Sequence, residues 1–176
     1  MTGPTASGLL AGDAILRDPL VRELLDARIV CVLATLDPRD AIHAVPMWFA
    51  TEEDAIVLAT GRGSRKVANV ARDSRATFVV HDSRAGFEVC GAAIAGHVTI
   101  LREDESAPAI ERVHRRYVAA TAEENDIVRE FLASDDVALR FHPQSVWTWD
   151  ERGSTANEEL RRLGAALPLL PTEPRP

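Results

Sequence analysis

The sequence is poor in the features that mark membrane proteins and nucleic-acid-binding proteins. Lysine and arginine together number 20 against 27 aspartates and glutamates, so the formal net charge at pH 7 is −7. General binding to nucleic acid or to an anionic membrane needs a net basic surface, which this balance argues against. No stretch approaches the roughly 20 apolar residues of a transmembrane helix, and no basic segment precedes the first apolar residues. The sequence therefore predicts a cytoplasmic protein.

Cysteine and histidine are too few or too scattered to indicate a disulfide framework or a metal centre. Cys31 and Cys90 each lie in an apolar, strand-like run and form no CxxC motif, so we expect buried free thiols. The five histidines show neither HxxxH nor HExxH spacing. Because no G-x-S-x-G motif and no catalytic-cysteine signature occurs, hydrolase chemistry has no basis in this sequence. We predict no metal site.

The apolar pattern is typical of a mainly β domain with short helices around it. Apolar runs separated by turn residues predict strands joined as an antiparallel meander, and their number indicates a small β-barrel with helices at its rim. The predicted strands are residues 29–36, 41–50, 55–60, 76–81 and 87–101, followed by a last hairpin or bent pair at 137–141 and 145–149. The main predicted helices begin at Asp18-Pro19 and after residue 66, and span residues 108–120 and 123–132.

The length of 176 residues fits one domain. We place this domain at residues 14–150. Residues 1–13 are predicted to be a flexible lead-in, and residues 151–176 a partly disordered tail. One helical turn is expected near residues 157–163, but the end of the tail, PLLPTEPRP, cannot sustain regular structure.

Residues 60–66, TGRGSRK, form the most informative stretch, which we call the anion loop. The loop follows an apolar strand-like run and opens a helix-like segment. Its glycines let the backbone approach a ligand closely, and Ser64 suits a helix N-cap, where free amides and the helix dipole favour an anion. Arg62, Arg65 and Lys66 add positive charge, and an arginine fork suits phosphate or carboxylate oxygens. The alternative is an ordinary strand–turn–helix corner with solvated cations.

Pro46 lies inside the strand-like run AIHAVPMWFA. Proline has no N–H for its ladder position, so this strand is predicted to be an edge strand or locally open. An open strand leaves neighbouring backbone groups free to bond a flat heteroaromatic ligand, with Met47 and Trp48 as an apolar wall. The alternative is an edge strand whose side chains simply pack in the core.

Two further groups of residues are open to more than one interpretation. Trp147 and Trp149 are two positions apart, so they share one face of a strand. They would cover a barrel opening or bury an interface, and we expect one of them to pack in the core. His43 and His81 flank the ligand region in sequence and are candidate proton donors, although each also fits a polar strand end.

The order of these segments resembles the pyridoxamine 5′-phosphate oxidase-like split-barrel superfamily, and within it the flavin/deazaflavin oxidoreductase branch. The likeness rests on VCVLATLDPRDAIHAVPMWFA, AIVLATGRGSRKVANVARDSRATFVVHD and FEVCGAAIAGHVTILRED. It covers about residues 24–102 and continues more weakly to Trp149. Its specific element is a V-P-x-W-F strand followed by T-G-x-x-S-x-K-x-x-N.

The resemblance implies a six-stranded antiparallel split β-barrel of the FMN-binding type, and a homodimer with two cofactor sites at the subunit interface. Trp147 is carried over as a residue that closes the site from the partner chain. The positions that match the phosphate-binding residues of the family are Thr60, Ser64, Arg65 and Lys66, with Asn69 close behind on the helix. The positions that match the strand along the cofactor ring are Val45, Pro46, Met47 and Trp48.

The resemblance also implies hydride transfer between the cofactor, FMN or the deazaflavin coenzyme F-420, and a small organic acceptor. In such enzymes the cofactor carries the chemistry, so no side chain is obligatory as acid or base. The basic C-terminal substrate motif of true pyridoxamine phosphate oxidase is missing, and oxidation of that vitamin phosphate is not expected. The short S-R-K-V-A-N form and three loop cations favour F-420 slightly, because its oligoglutamate tail adds negative charge.

Two alternatives from other functional classes remain open. The first is a non-catalytic protein of the same fold that binds flavin, haem or a tetrapyrrole. The second is a structural or regulatory dimer whose loop cations face solvent.

Overall fold

The computed structural model describes residues 12–83 and 89–163 of the chain. These residues contain seven strands and six α-helices. The strands are β1 (Cys31–Leu36), β2 (Ile42–Met47), β3 (Phe49–Thr51), β4 (Ile56–Gly61), β5 (Arg75–Asp82), β6 (Cys90–Ile100) and β7 (Asp136–Asp150). The helices are α1 (Asp13–Arg17), α2 (Pro19–Asp26), α3 (Arg65–Arg72), α4 (Glu103–Tyr117), α5 (Asp126–Leu132) and α6 (Thr155–Arg162), with a 3-10 helix at Ala120–Glu124. Most of the predicted lead-in, the proline-rich end of the tail and the predicted strand start at residue 87 lie outside the described residues.

The strands form one antiparallel sheet in the order β2-β1-β5-β6-β7-β4-β3. The two edge strands, β2 and β3, belong to one continuous stretch of chain that is interrupted only at Trp48. The same stretch therefore joins both edges, and the sheet curls into a half-barrel. The predicted antiparallel split barrel is confirmed, with seven strands instead of six because the run at residues 41–50 breaks at Trp48.

The inner surface of the curled sheet forms the main core. Strand residues alternate between buried and partly exposed positions along β1, so that Cys31 and Leu33 point inward. Three phenylalanines cross the barrel: the ring centroid of Phe78 lies 5.2 Å from that of Phe49 and 5.8 Å from that of Phe141. The prediction of buried free thiols is confirmed for Cys31 and for Cys90.

Helix α4 packs on the outside of the sheet, over β3, β4 and the start of β7. A second apolar cluster fills this contact and includes Val57 of β4, Ala138 of β7 and Val113 of α4. The helix begins at Glu103, so the predicted start at Pro108 is wrong. The acidic residues Glu103, Asp104 and Glu105 favour the helix start through its dipole, and Pro108 lies inside the helix.

Strand β7 is a single strand of 15 residues. The sequence predicted either a hairpin or a bent strand pair here; the hairpin is wrong, and the bent pair is closer to the structure. The strand bends at a bulge: Ser145 pairs with Ala95 and Pro143 pairs with Gly96, which leaves Gln144 without an opposite residue. Glycine is required at position 96, because a Cβ atom there would lie 2.2 Å from the carbonyl oxygen of His142.

Candidate functional site

A seam without ladder hydrogen bonds separates β2 from the end of β4. Strand β3 pairs with β4 only where Phe49–Thr51 lie opposite Ile56–Leu58, and β2 pairs with β1 on its other side. The hydrogen-bonded order of the sheet does not join β2 to β4. The free edge of β2 and the residues after Leu58 therefore share no ladder. Trp48 lies at one end of this seam, between β2 and β3, and the anion loop lies at the other end, which we call the mouth, at the end of β4. We call this seam the β2–β4 cleft and the Trp48 end its apex.

Pro46 lies on the free edge strand, opposite Val32 of β1, which confirms the edge position predicted from the sequence. Val45 packs against the core and Met47 is buried in it. Pro46 therefore faces outward, while its two neighbours face the barrel interior. The contact of Val45, Pro46, Met47 and Trp48 with a cofactor ring stays a prediction.

The anion loop gathers three polar side chains at the cleft mouth. Lys66 Nζ donates a hydrogen bond of 2.8 Å to Thr60 Oγ1, and Thr60 Oγ1 lies 3.4 Å from Ser64 Oγ. Ser64 occupies the predicted N-cap position of α3, but its hydroxyl makes no cap hydrogen bond and is directed at Thr60 instead. The Val67 N–H donates to the Ser64 carbonyl oxygen at 3.1 Å, so the amides of Arg65 and Lys66 are the ones that a bound anion could use, as at anion-binding helix starts.

Lys66 is the single lysine of the 176-residue sequence. Burial lowers the pKa of its ammonium group, and the nearby Asp136 carboxylate opposes that shift. A compact, partly desolvated ammonium group beside two hydroxyl groups is suited to bind a phosphate as a point charge. Lys66 thus gives the loop a partly buried positive charge.

The arginines near the loop are placed differently from Lys66. Arg62 pairs with Asp135 at 3.0 Å, which offsets its charge. Arg65 is exposed on the first turn of α3. Arg72 donates from Nη2 to the carbonyl oxygens of Leu36 and Asp37, and so fixes the turn after β1.

Asn69 is only 2% exposed and holds α3 against the sheet. Its Nδ2 donates to Thr35 Oγ1 at 3.0 Å, and Thr35 Oγ1 lies 3.4 Å from the carbonyl oxygen of His43. In this arrangement Asn69 supports the loop from behind, and its contact with a cofactor stays a prediction. His43 Nδ1 is buried without a hydrogen-bond partner, which leaves one polar atom of β2 available near the cleft.

An aromatic cluster that no local motif predicted lies at the cleft apex. Trp48 stacks on Tyr117 with ring centroids 4.9 Å apart and 7° between the planes. Phe131 of α5 meets Trp48 edge-on at 5.7 Å, and His114 of α4 does so at 6.5 Å. Tyr117 donates a hydrogen bond of 2.7 Å to the carbonyl oxygen of Ile29. These residues come from separate segments of the chain, so only tertiary packing brings them together.

Trp147 and Trp149 lie on the same outer face of β7, as predicted, with ring centroids 5.0 Å apart. Trp149 covers Gly91, where a Cβ atom would lie 2.1 Å from the indole ring. Trp147 is 52% exposed, and neither ring belongs to the core clusters. The expectation that one tryptophan packs in the core is therefore wrong, because both alternate with the inward-facing residues of β7.

Candidate groups for other chemistry are sparse in the described ranges. Within residues 12–83 and 89–163, no three His, Cys, Asp or Glu side chains lie close enough to hold a metal ion. In that same part of the chain, no helix is both long and apolar enough to span a membrane. His81 is an exposed residue near the end of β5. The main chemical capacity of the site is thus to bind an anion beside a free strand edge.

The residues present fit a phosphate-bearing cofactor. The donors suited to phosphate oxygens are the ammonium group of Lys66, the hydroxyl groups of Thr60 and Ser64, and the first two amides of α3. The free edge of β2 offers backbone groups to a flat ring. Both features lie along one cleft.

The architecture of the described chain is thus a split barrel with a cationic, glycine-containing loop beside its open seam. A family model described as pyridoxamine 5′-phosphate oxidase matches residues 18–150. The chain belongs to this family. No curated protein matches it.

Solved structures share the fold at low sequence identity. A conserved hypothetical protein, Rv2991 from Mycobacterium tuberculosis, is 22% identical with a TM-score of 0.64, covering 89% of this chain and 92% of its own. An F420 reductase is 19% identical with a TM-score of 0.56, covering 71% and 94%. HutZ, a heme storage protein from Vibrio cholerae, is 14% identical with a TM-score of 0.61, covering 77% and 97%. At such identities the likeness shows the fold alone.

Proposed function

We propose that this protein binds F-420 or FMN in the β2–β4 cleft and transfers hydride between that cofactor and a small organic acceptor. The observation that carries the proposal is the convergence of Lys66, Thr60 and Ser64 at the mouth of a cleft that is bordered by a free strand edge. The family membership supports the same class of cofactor. F-420 is favoured slightly over FMN, because exposed Arg65 adds a second cation for a more negative ligand.

The protein's own part in this function is to bind and orient the cofactor. Lys66 neutralises phosphate charge, and the Thr60 and Ser64 hydroxyl groups donate to phosphate oxygens. The edge of β2 holds the ring through backbone groups, while the aromatic cluster at Trp48 limits access of water to the apex. When bound, a flavin or deazaflavin supplies the hydride chemistry itself.

A homodimer is part of the proposal, and an apolar row across the outer surface of the sheet supports it. By strand register, Pro46 lies beside Val32, Val32 beside Val79, Val79 beside Ala93, and Ala93 beside Trp147. This row spans five strands and ends at half-exposed Trp147. Contiguous exposed apolar surface of this kind is typical of interfaces. In a two-fold dimer, Trp147 of one copy would meet the β2 end of the other, next to the cleft.

The same outer surface carries the observation that favours the alternative, a non-catalytic haem- or tetrapyrrole-binding protein. A groove of about 440 Å³ has a largely apolar floor that includes Ala34, Leu36 and Ile42, with His97 at one end. An apolar groove with a histidine is the kind of site that holds haem.

The cytoplasmic location stays a prediction.

Titration of the purified protein with F-420, FMN and haemin, followed by absorbance and native mass, tests the proposal. We expect saturable binding of F-420 or FMN to a dimer, and a bound cofactor that a chemical reductant can cycle. Binding of haemin alone would favour the alternative. Binding of none of the three would overturn both.

The site is tested by Lys66→Ala combined with Ser64→Ala. Losing charge-assisted phosphate contacts costs on the order of 1.5–3 kcal/mol, so the cofactor Kd should rise at least about tenfold. Arg102→Ala is the matched control, since it removes an exposed cation at the start of α4. Unchanged affinity in the double variant would show that the phosphate does not bind at the anion loop.

A further inference from the structure

We infer that Asp136 is a positioning residue for the anion loop and that His114 controls its effect, so that the loop binds anions more tightly when His114 is protonated. The inference rests on the proposed function, because it concerns the same anion site. It assigns a role to two residues that lie outside every motif of the sequence.

Asp136 is fixed directly beside the loop. It is the first residue of β7 and pairs with Gly61, while the next pair joins Val137 to Thr60, the hydrogen-bond partner of Lys66. The Asp136 N–H donates to the carbonyl oxygen of Ser134 at 2.8 Å, which anchors the strand start. Its side chain is only 14% exposed, so its charge acts on the loop with little screening by water.

His114 of α4 reaches the same carboxylate. Its Nε2 lies 3.7 Å from Asp136 Oδ2, and its side chain is 11% exposed. The ring is held at an angle to Trp48 and against Phe131, whose centroid lies 6.0 Å away. The geometry therefore couples the apex cluster to the loop through a single carboxylate.

His114 remains reachable by protons. It lines a cavity of about 410 Å³ beside α4, together with apolar and charged residues. Protonation of the imidazole would add one positive charge beside the Asp136 carboxylate, and histidine is the side chain that serves as a charge switch near neutral pH in proteins. The other lining residues are Ala107, Ile110, Glu111, Arg115, Glu123, Leu132 and Ser134.

The electrostatic consequence follows from three side chains. With His114 neutral, the Asp136 carboxylate favours the charged form of Lys66, and it also competes with an anion for that charge. With His114 protonated, the three charges sum to +1 instead of zero, which favours an anion. The surrounding charged groups are more exposed: Arg62 pairs with Asp135, Arg115 pairs with Glu111, and Arg65 and Glu123 face solvent.

Sulfate binding between pH 5.5 and 8.5 tests the inference, because sulfate keeps its charge over this range whereas phosphate does not. We expect the wild-type Kd to rise about threefold to tenfold from the low to the high end, as for one partly screened charge. His114→Gln should remove this rise and stay at the weaker value. Asp136→Asn should bind as tightly at pH 8.5 as the wild type does at pH 5.5.

Asp135→Asn is the matched control. It removes the same charge from the neighbouring residue, whose side chain is 78% exposed. It releases Arg62 and so shifts the overall affinity, but the pH-dependent rise should persist. A rise of the wild-type size in His114→Gln, or its absence from the wild type, would overturn the inference.

The coupling can also be measured without any ligand. Because Lys66 is the only lysine, reductive ¹³C-methylation labels it and the α-amine alone, and NMR follows each through pH. Asp136→Asn should move the Lys66 midpoint to lower pH, and Asp135→Asn should move it much less. An unmoved midpoint refutes the inference even if cofactor binds. A moved midpoint in a protein that binds neither sulfate nor cofactor refutes the proposed function instead.

Discussion

The outer surface of the sheet has two halves that are both apolar but are covered differently. Over β3, β4 and the start of β7, the outward residues Val57 and Ala138 are fully buried beneath Val113 of α4. Over β2, β1, β5, β6 and the end of β7, no described helix covers the apolar row from Pro46 to Trp147. Alternating apolar residues thus indicate that a sheet face will be covered. They do not indicate whether a helix of the same chain or a second molecule covers it.

The difference has a physical basis in chain connectivity. Helix α4 follows β6 and precedes β7, so it returns across the half of the sheet that β7 enters. The other half is left with small residues, such as Ala93 and Ala95, and with a tryptophan pair. In our proposal a second copy of the chain covers this half and completes the cofactor site.

The largest expected effect is the loss of the fold by Val113→Asp. Val113 is fully buried, and an unpaired carboxylate there costs at least about 3 kcal/mol. Chemical denaturation measures the change. Val79→Asp is the control on the other half. Val79 is partly exposed in the single copy, so at a protein concentration where the wild type is also monomeric, this variant should unfold at nearly the wild-type denaturant concentration. Equal destabilisation by both would show that the two halves do not differ.

The second effect is on assembly. Ala95 is exposed and lies beside Thr77 and Ser145, next to the apolar row. Ala95→Arg should convert the dimer to a monomer that keeps its thermal midpoint within a few degrees, because like charges would meet across a two-fold interface. Sedimentation or light scattering gives the mass, with Ala95→Ser as the conservative control. A dimeric Ala95→Arg would place the interface elsewhere.

Trp147→Ala should have a smaller effect on the same interface. A large aromatic side chain at an interface typically accounts for about 2 kcal/mol or more, so the dimer Kd should rise about tenfold or more. In the single copy the ring contact with Trp149 is lost, worth about 1 kcal/mol. Dilution experiments followed by native mass separate the two quantities. Loss of the dimer should also lower the affinity for the cofactor. An unchanged affinity in a dissociated variant would mean that each copy binds the cofactor alone.

The smallest effect concerns the Asp73–Arg75 pair at the start of β5, on the uncovered half. The side-chain hydrogen bond from Arg75, helped by its backbone N–H, holds the pKa of Asp73 at about 2. A depressed carboxyl pKa stabilises the fold above the ordinary value near 4, and this contribution disappears as the pH falls through about 2. Arg75→Gln should return the Asp73 titration, followed by NMR, toward its ordinary range, while Arg39→Gln should not. The Arg75 side chain is 66% exposed, so solvent screens the pair and the stability change is small.

Local patterns predicted much of the fold. Pro46 lacks an N–H, and this property of one residue is enough to indicate an edge strand. The strand–loop–helix order around residues 60–66 placed Ser64 at the start of α3, where the structure has it. These features depend on neighbouring residues, so the sequence carries them directly.

Other features depend on which elements meet in space. Helix α4 starts earlier than the proline suggested, and the part before Pro108 is held to β7, where the Ala138 N–H donates to Ser106 Oγ at 2.6 Å. The hydroxyl group of Ser64 lies beside that of Thr60 and does not cap the helix, and the side-chain amide of Asn69 donates a hydrogen bond to Thr35. Nothing in the sequence around these residues encodes the partner, because the partner lies on a strand.

By itself the sequence determined an antiparallel barrel with an open edge strand and a cationic, glycine-containing loop, since backbone restrictions and hydrophobic alternation act locally. Only the tertiary structure decided that Trp48 stacks on Tyr117, that α4 covers one half of the sheet, and that Asp136 lies near both His114 and the single lysine. These contacts join residues far apart in the chain, and their energies exist only once the sheet has curled and placed them within a few ångströms of each other.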